Sequence, residues 1–322
     1  MILVTGAAGF IGYHVSNALL AQGRAVVGID NLNDYYDPAL KQARLDRLEA
    51  QPGFQFLRAD IADREAILSL AKTFPDVTGI VHLAAQAGVR HSLVDPYSYV
   101  RSNVEGQLIM LELARRMDGL KHMVYASSSS VYGANEKQPF SIEDPVNTPL
   151  SLYAATKRSG ELMAYTYSHL YGIPLTGLRF FTVYGPWGRP DMAAYIFASK
   201  IMAGEPITVF NNGDMRRDFT FIDDIVDGVI RCLGTPPIGT PPQQVYNIGN
   251  NRSEDLMRFI SLIEESLGMK AEIRFDVMQP GDVRETFADI DAIRQDLDFN
   301  PSTPIDVGIP AFIEWFRSYN QR

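Results

Sequence analysis

Hydrophobic positions in the first half of the chain follow two alternating habits. Continuous apolar runs occur at 2–4, 25–29, 54–57, 80–83, 122–126 and 174–178. Between them, apolar residues recur every three or four positions near 11–20, 38–48, 65–71, 103–117 and 154–170. The runs read as strands and the spaced patterns as helices. A strand that is apolar at every position is buried on both faces, as in a parallel sheet covered by helices. Such sheets hold their ligands beyond the carboxyl ends of the strands. The turn after each strand is therefore where chemistry is expected.

After Arg179 the pattern changes. Gly185, Pro186, Gly188 and Pro190 break any long element, and later come Pro236-Pro237, Pro241-Pro242 and Gln279-Pro280-Gly281-Asp282. The expected architecture is α/β: a doubly wound parallel sheet with a smaller α/β C-terminal substrate lobe closing over the site. The sheet domain is expected at 1–178, with 218–249 returning to it. The lobe is expected at 179–217 and 250–322.

The first strand runs directly into Gly6-Ala7-Ala8-Gly9-Phe10-Ile11-Gly12. A glycine turn lets backbone approach a pyrophosphate, and the helix start that follows offers unpaired N–H groups and a positive dipole end. The spacing is one residue longer at the first gap than the common dinucleotide fingerprint. Its position at the first strand–helix junction gives it weight, and makes the sheet Rossmann-type. The second strand ends at Asp30-Asn31, about 20 residues on, where the fingerprint expects an acid. A carboxylate there accepts from the ribose hydroxyls of NAD and repels the extra phosphate of NADP. The alternative is a helix-flanking acid. Asp60-Ile61 ends the third strand, where it meets adenine in this reading. Leu83-Ala84-Ala85 ends the fourth, where small side chains let a cofactor lie close.

Tyr153-Ala154-Ala155-Thr156-Lys157 places a phenol and an amine four apart, on one helical face. A free tyrosine is a poor base near neutrality, and a nearby ammonium favours the phenolate. Tyr-x-x-x-Lys is common by chance. It gains meaning from the hydroxyl run Ser127-Ser128-Ser129-Ser130-Val131-Tyr132-Gly133 after the fifth strand. The bland reading of four serines is a solvated loop.

These residues carry a family resemblance along nearly the whole chain. Together with His82-Leu83-Ala84-Ala85-Gln86-Ala87-Gly88-Val89-Arg90, the run from Arg179-Phe180-Phe181-Thr182 through Trp187-Gly188-Arg189-Pro190-Asp191-Met192, and Met215-Arg216-Arg217-Asp218-Phe219, they resemble the extended short-chain dehydrogenase/reductases. Within these the chain is most similar to the nucleotide-sugar epimerases that act on UDP-glucuronate. The resemblance implies that Tyr153 is the base for a 4-hydroxyl. Lys157 would hold the nicotinamide ribose and lower the tyrosine pKa, Ser128 would be the triad hydroxyl, and Asn103 would buttress the site. It also implies substrate contacts from Ser129, Thr182 and Met192. Arg217 and Arg284 would clamp the diphosphate, with Asp282 on the ribose and Phe210 beside the base. Leu152 departs from the pattern, which has proline before the tyrosine.

The resembling enzymes all begin by oxidising C4. Those that dehydrate or decarboxylate carry an acid just before Val-Tyr-Gly, where this chain has Ser130. Without it, the ketone turns over and is reduced from its other face. The expected activity is NAD-dependent 4-epimerisation between UDP-glucuronate and UDP-galacturonate. Arg189 suits bidentate binding of the sugar carboxylate, with Arg90 a second choice; Arg189 pairing with Asp191 is the alternative. Rival readings are a UDP-glucuronate decarboxylase, a 4-epimerase of neutral UDP-hexoses, and a non-catalytic NAD sensor.

Composition narrows the setting. The 322 residues are 46% hydrophobic and 21% charged, with net charge −9 and no Lys/Arg run. No nucleic-acid partner is expected. Cys232 is the single cysteine, which fits a reducing, cytoplasmic setting. No basic segment precedes an apolar run, so no leader is expected. No stretch approaches the roughly 20 apolar residues that span a bilayer. Five scattered histidines suggest no metal site. The long amphipathic stretches 103–117 and 154–170 imply, by the resemblance, a homodimer built on a four-helix bundle.

Overall fold

A computed structural model describes residues 1–279 and 283–320. Seven strands form one parallel sheet: β1 (Ile2–Thr5), β2 (Val26–Asp30), β3 (Phe54–Arg58), β4 (Gly79–His82), β5 (His122–Ser128), β6 (Leu175–Phe180) and β7 (Gln243–Ile248). Their spatial order is β7-β6-β5-β4-β1-β2-β3. The order reverses between β1 and β4, so a crevice opens there at the carboxyl ends.

The helices are α1 (Phe10–Ala21), α2 (Pro38–Glu49), α3 (Arg64–Thr73), α4 (Gly106–Arg116), α5 (Leu152–Tyr171), α6 (Ala193–Ala203), α7 (Ile222–Gly234), α8 (Leu256–Leu267), α9 (Asp291–Leu297) and α10 (Ile305–Asn320). Alternate residues of each strand face opposite layers. Ile2 and Val4 join one apolar cluster with Val15 and Leu19 of α1 and Val229 of α7. Leu3 joins the other with Ile67 of α3, Ile109 and Leu113 of α4 and Ala164 of α5. The first cluster continues into Phe259, Phe312 and Phe316 of the C-terminal part. One apolar core therefore runs from the sheet into the C-terminal part of the chain.

The structure corrects several limits read from the pattern. The stretch expected as a helix from 103 begins earlier, with a turn at Pro96–Tyr99 capped by the Asp95 carboxylate. A π-helical segment, Val100–Glu105, then leads into α4. The wider turn contains Asn103, and such bulges concentrate at functional sites. Helix α5 starts at Leu152 because the Ser151 hydroxyl accepts from Ala154 N at 3.1 Å. Leucine in place of proline therefore leaves the helix start intact. Strand β3 stops at Arg58, so Asp60 lies in the turn beyond it.

The second half adds short strand pairs that periodicity did not mark. Thr182–Tyr184 runs parallel to Phe219–Phe221, and Ile207–Phe210 parallel to Ile273–Asp276. Arg216–Arg217 pairs antiparallel with Glu254–Asp255.

Candidate active site

The glycine turn is shaped by contacts that exclude side chains. Gly6 has φ +71°, and a Cβ there would lie 2.9 Å from Ala84 N. A Cβ on Gly12 would lie 2.0 Å from the Gly6 carbonyl oxygen. Glycine at these positions packs the turn tightly, with Gly6 N on Ile29 O at 2.7 Å and Gly9 N on Gly6 O at 2.9 Å, so that Phe10, Ile11 and Gly12 open the first turn of α1, where a pyrophosphate finds N–H donors. Asp30 ends β2 buried, its carboxylate accepting from Ala8 N at 3.1 Å and Leu32 N at 2.9 Å. Each oxygen keeps acceptor capacity for a ribose hydroxyl. Asn31 reaches the Asp60 carboxylate at 3.4 Å, and Ile61 packs beneath. Ala84 N donates to Thr5 Oγ1 at 3.1 Å, which holds the Leu83-Ala84-Ala85 backbone against the turn. These groups fit a dinucleotide laid across β1, β2 and β4.

Beside this crevice stands the hydroxyl centre. Tyr153 and Lys157 lie one turn apart on α5, and Ser128 ends β5. The Ser128 hydroxyl stands within electrostatic reach of the Tyr153 hydroxyl and accepts from Ser130 N at 3.2 Å. Lys157 is buried and donates to the Ala126 carbonyl at 3.0 Å. Burial pushes its amine down to about 8. Asn103 accepts from Gln86 N at 2.9 Å and donates to Gln86 O at 2.9 Å and to Thr156 Oγ1 at 3.1 Å. It thereby ties the turn after β4 to α5.

Burial raises the Tyr153 pKa; the Ser128 hydroxyl and the Arg189 charge oppose the rise, and the Asp191 charge adds to it.

Arg189 is bound to an acid, the alternative weighed against its role as a carboxylate binder. Its Nε donates to Asp191 Oδ1 at 3.0 Å and its terminal nitrogen to Asp191 Oδ2. Tyr35 donates to the same Oδ2 at 3.0 Å. Arg90 stacks over the Phe210 ring, 4.5 Å from its centroid. Arg217 and Arg284, distant in sequence, meet: Arg217 donates to the Arg284 carbonyl at 3.0 Å, and Arg284 pairs with Asp214 at 3.0 Å. Met192 precedes α6, its N–H on the Arg189 carbonyl at 3.2 Å. Thr182 N donates to Asp218 O at 3.1 Å, and Ser129 opens the 3₁₀ turn Ser129–Tyr132. Asp282 lies outside the described residues. No group of three metal-ligating side chains occurs among the described residues.

Two buried assemblies were missed by motif reading. Glu161, one turn beyond Lys157, accepts from Ser127 Oγ at 2.6 Å and from Arg179 at 2.9 and 3.0 Å. Arg179 also donates to Tyr132 Oη at 3.0 Å, and that hydroxyl donates to Asn247 at 2.6 Å. The signal was available: a glutamate on the Tyr153/Lys157 face and an arginine inside the apolar strand β6. The second centres on Arg44, fully buried, which donates to Ala8 O at 2.9 Å and Trp187 O at 2.7 Å. It joins the glycine turn to the 185–191 loop. His14 bonds the Pro186 carbonyl of the same loop at 2.9 Å.

A parallel sheet with a tight glycine turn at its switch point, a buried acid ending β2, and a serine–tyrosine–lysine centre alongside define a dinucleotide-dependent enzyme of hydroxyl oxidation. Residues 2–249 match the NAD dependent epimerase/dehydratase family. The chain belongs to that family. It is 51% identical over 333 residues to an uncharacterised 37.6 kDa protein of Escherichia coli O111:H-, covering 98% of both. It is 46% identical over 331 residues to UDP-glucuronate 4-epimerase 4 of Arabidopsis thaliana, covering 99% of this chain and 75% of that one. The crystal structure of UDP-glucuronic acid 4-epimerase from Bacillus cereus with UDP-glucuronic acid and NAD superposes with a TM-score of 0.91, at 36% identity and 99% coverage of each chain.

Proposed function

We propose that the protein is an NAD-dependent isomerase that interconverts UDP-glucuronate and UDP-galacturonate through a 4-keto sugar. The carrying observation is the gathering of Ser128, at the end of β5, with Tyr153 and with Lys157 one turn along α5, beside the glycine turn. NAD bound in the crevice would supply the hydride acceptor, and then the hydride donor, for C4. Tyr153 takes the proton of the 4-hydroxyl, and Ser128 steadies the same oxygen. Lys157, held near Ala126, supplies a cation for the nicotinamide ribose. The turn Ser129–Tyr132 has no acid with which to move a C5 proton, which supports epimerisation over dehydration or decarboxylation.

Arg189 supports an acidic substrate, because its guanidinium suits a carboxylate and its charge reaches Tyr153. The joined Arg217 and Arg284 suit the diphosphate, and Phe210 with Arg90 offers a face for the base. We take 1–178 with 218–249 as the cofactor body and 179–217 with 250–322 as the nucleotide-sugar lobe. Homodimerisation is supported by Leu108 of α4 and Leu162 and Tyr165 of α5, large apolar side chains left 40–53% exposed. A reducing cytoplasm suits the free, buried Cys232. Among the described residues, no helix is long and apolar enough to cross a membrane.

The test is direct. Purified protein incubated with UDP-glucuronate should yield UDP-galacturonate, and Tyr153→Phe should stop turnover while NAD still binds. UDP-xylose and CO2 as main products would establish the decarboxylase instead. Turnover surviving Tyr153→Phe would overturn the chemistry.

A further inference from the structure

Arg189 and Asp191 form an arrangement that the reaction does not need for its chemistry. The Nε edge of the guanidinium faces Asp191 Oδ1 at 3.0 Å, and the adjoining terminal nitrogen faces Oδ2. A guanidinium carries five N–H donors in a planar fork, so a side-on carboxylate does not exhaust it. Tyr35, from the loop after β2, donates to Asp191 Oδ2 at 3.0 Å. The group is largely enclosed, with side chains of Arg189 and Asp191 only 23% and 28% exposed. Its charged and titratable neighbours come from every side: Lys41 from α2, Tyr36 from the same loop as Tyr35, Tyr99 from the turn before the π segment, and Tyr153 from α5.

We propose that Asp191 is a specificity-determining residue: a resident carboxylate that aims the Arg189 fork and partly cancels its charge, with Tyr35 setting how strongly, so that it meters the preference for acidic over neutral sugars. The inference rests on the reading of Arg189 as the group that meets the sugar carboxylate. An uncompensated guanidinium in a half-closed site would hold a uronate tightly and slow its release. The same guanidinium paired with Asp191 presents less net charge to it. The Tyr35 hydroxyl withdraws charge from the Asp191 oxygen that faces Arg189. Removing that hydroxyl strengthens the internal pair, and removing the Asp191 charge abolishes it.

The experiment measures dissociation constants of UDP, UDP-glucose and UDP-glucuronate on the NAD-loaded enzyme by calorimetry. Asp191→Asn should tighten UDP-glucuronate relative to UDP-glucose by roughly tenfold, with UDP itself unchanged. Tyr35→Phe should move the same ratio a few-fold the other way. An acid-to-neutral ratio that is unchanged or lowered in Asp191→Asn overturns the proposal. Arg189→Ala separates the two layers. If it collapses the ratio while Asp191→Asn leaves it alone, only the metering role fails. If Arg189→Ala also leaves the ratio alone, the carboxylate reading fails with it.

Discussion

At the scale of single residues, the informative groups are polar side chains taken out of water. His82 is buried and bonded to Thr5 Oγ1 at 2.7 Å, and His122 is buried with Thr176 Oγ1 at 2.9 Å. Burial pushes their pKa values down to about 3 and about 4. The unfolded chain binds protons on both near 6.5. Their contribution is therefore fully present above pH 6.5 and is lost as pH falls toward 4, at roughly 1.4 kcal/mol per pH unit for each histidine. Denaturant midpoints should fall steeply between pH 6.5 and 5, and His122→Gln should flatten that slope. A slope unaltered by the substitution would contradict the assignment. No sequence pattern marks these two among the five histidines, because burial depends on what packs over them. Tyr153 shows the same limit. Its position on the helix face was legible, but the balance of burial, Ser128 and Arg189 that sets its acidity was not.

At the scale of elements, the glycine turn and the α5–β6 ion pair carry separate burdens. Gly12→Ala would drive a Cβ toward the Gly6 oxygen, 2.0 Å away. The turn must open, so NAD binding should weaken by at least tenfold while Tyr153 and Ser128 remain in place; calorimetry with NAD checks it. Glu161 and Arg179 are 1% and 4% exposed as side chains. Removing Glu161 leaves the buried Arg179 guanidinium without its carboxylate, a loss of roughly 3–5 kcal/mol, whereas Glu161 without Arg179 keeps Arg158 at 2.9 Å. Glu161→Met should cost about that much in urea unfolding, Arg179→Met should cost less, and the two together should cost less than the sum of the single losses. Additive losses would show that the two side chains act independently. Their pairing could not be read from the motifs: 18 positions separate them in sequence, and only the packing of α5 against β6 joins them.

At the scale of the whole molecule, the chain returns repeatedly to one crevice. Arg44 and His14 fasten the 185–191 loop to the glycine turn and α1, and Trp187 packs its ring against Trp315 and Tyr319 of α10 at 5.4 Å centroid distances. The loop carrying Arg189 is therefore braced by both ends of the chain. Leu162 and Tyr165 remain on the outer face of α5, 53% and 51% exposed. Leu162→Glu should convert a dimer to monomers in sedimentation, with the far-ultraviolet circular dichroism of the monomer unchanged. A wild-type chain that sediments as a monomer would remove the dimer.

What the sequence determined by itself was local and periodic. Apolar runs specified the first six sheet strands, the glycine spacing specified the turn, and the four-residue interval specified that Tyr153 and Lys157 share a face. Each depends only on backbone geometry over a few residues. The tertiary structure decided what depends on distant segments meeting: β7 beside β6, Arg179 on Glu161, Arg284 beside Arg217, and Asp191 in the fork of Arg189 against Tyr35. Those contacts follow from how the layers pack, because a buried charge is stable only where packing delivers its partner.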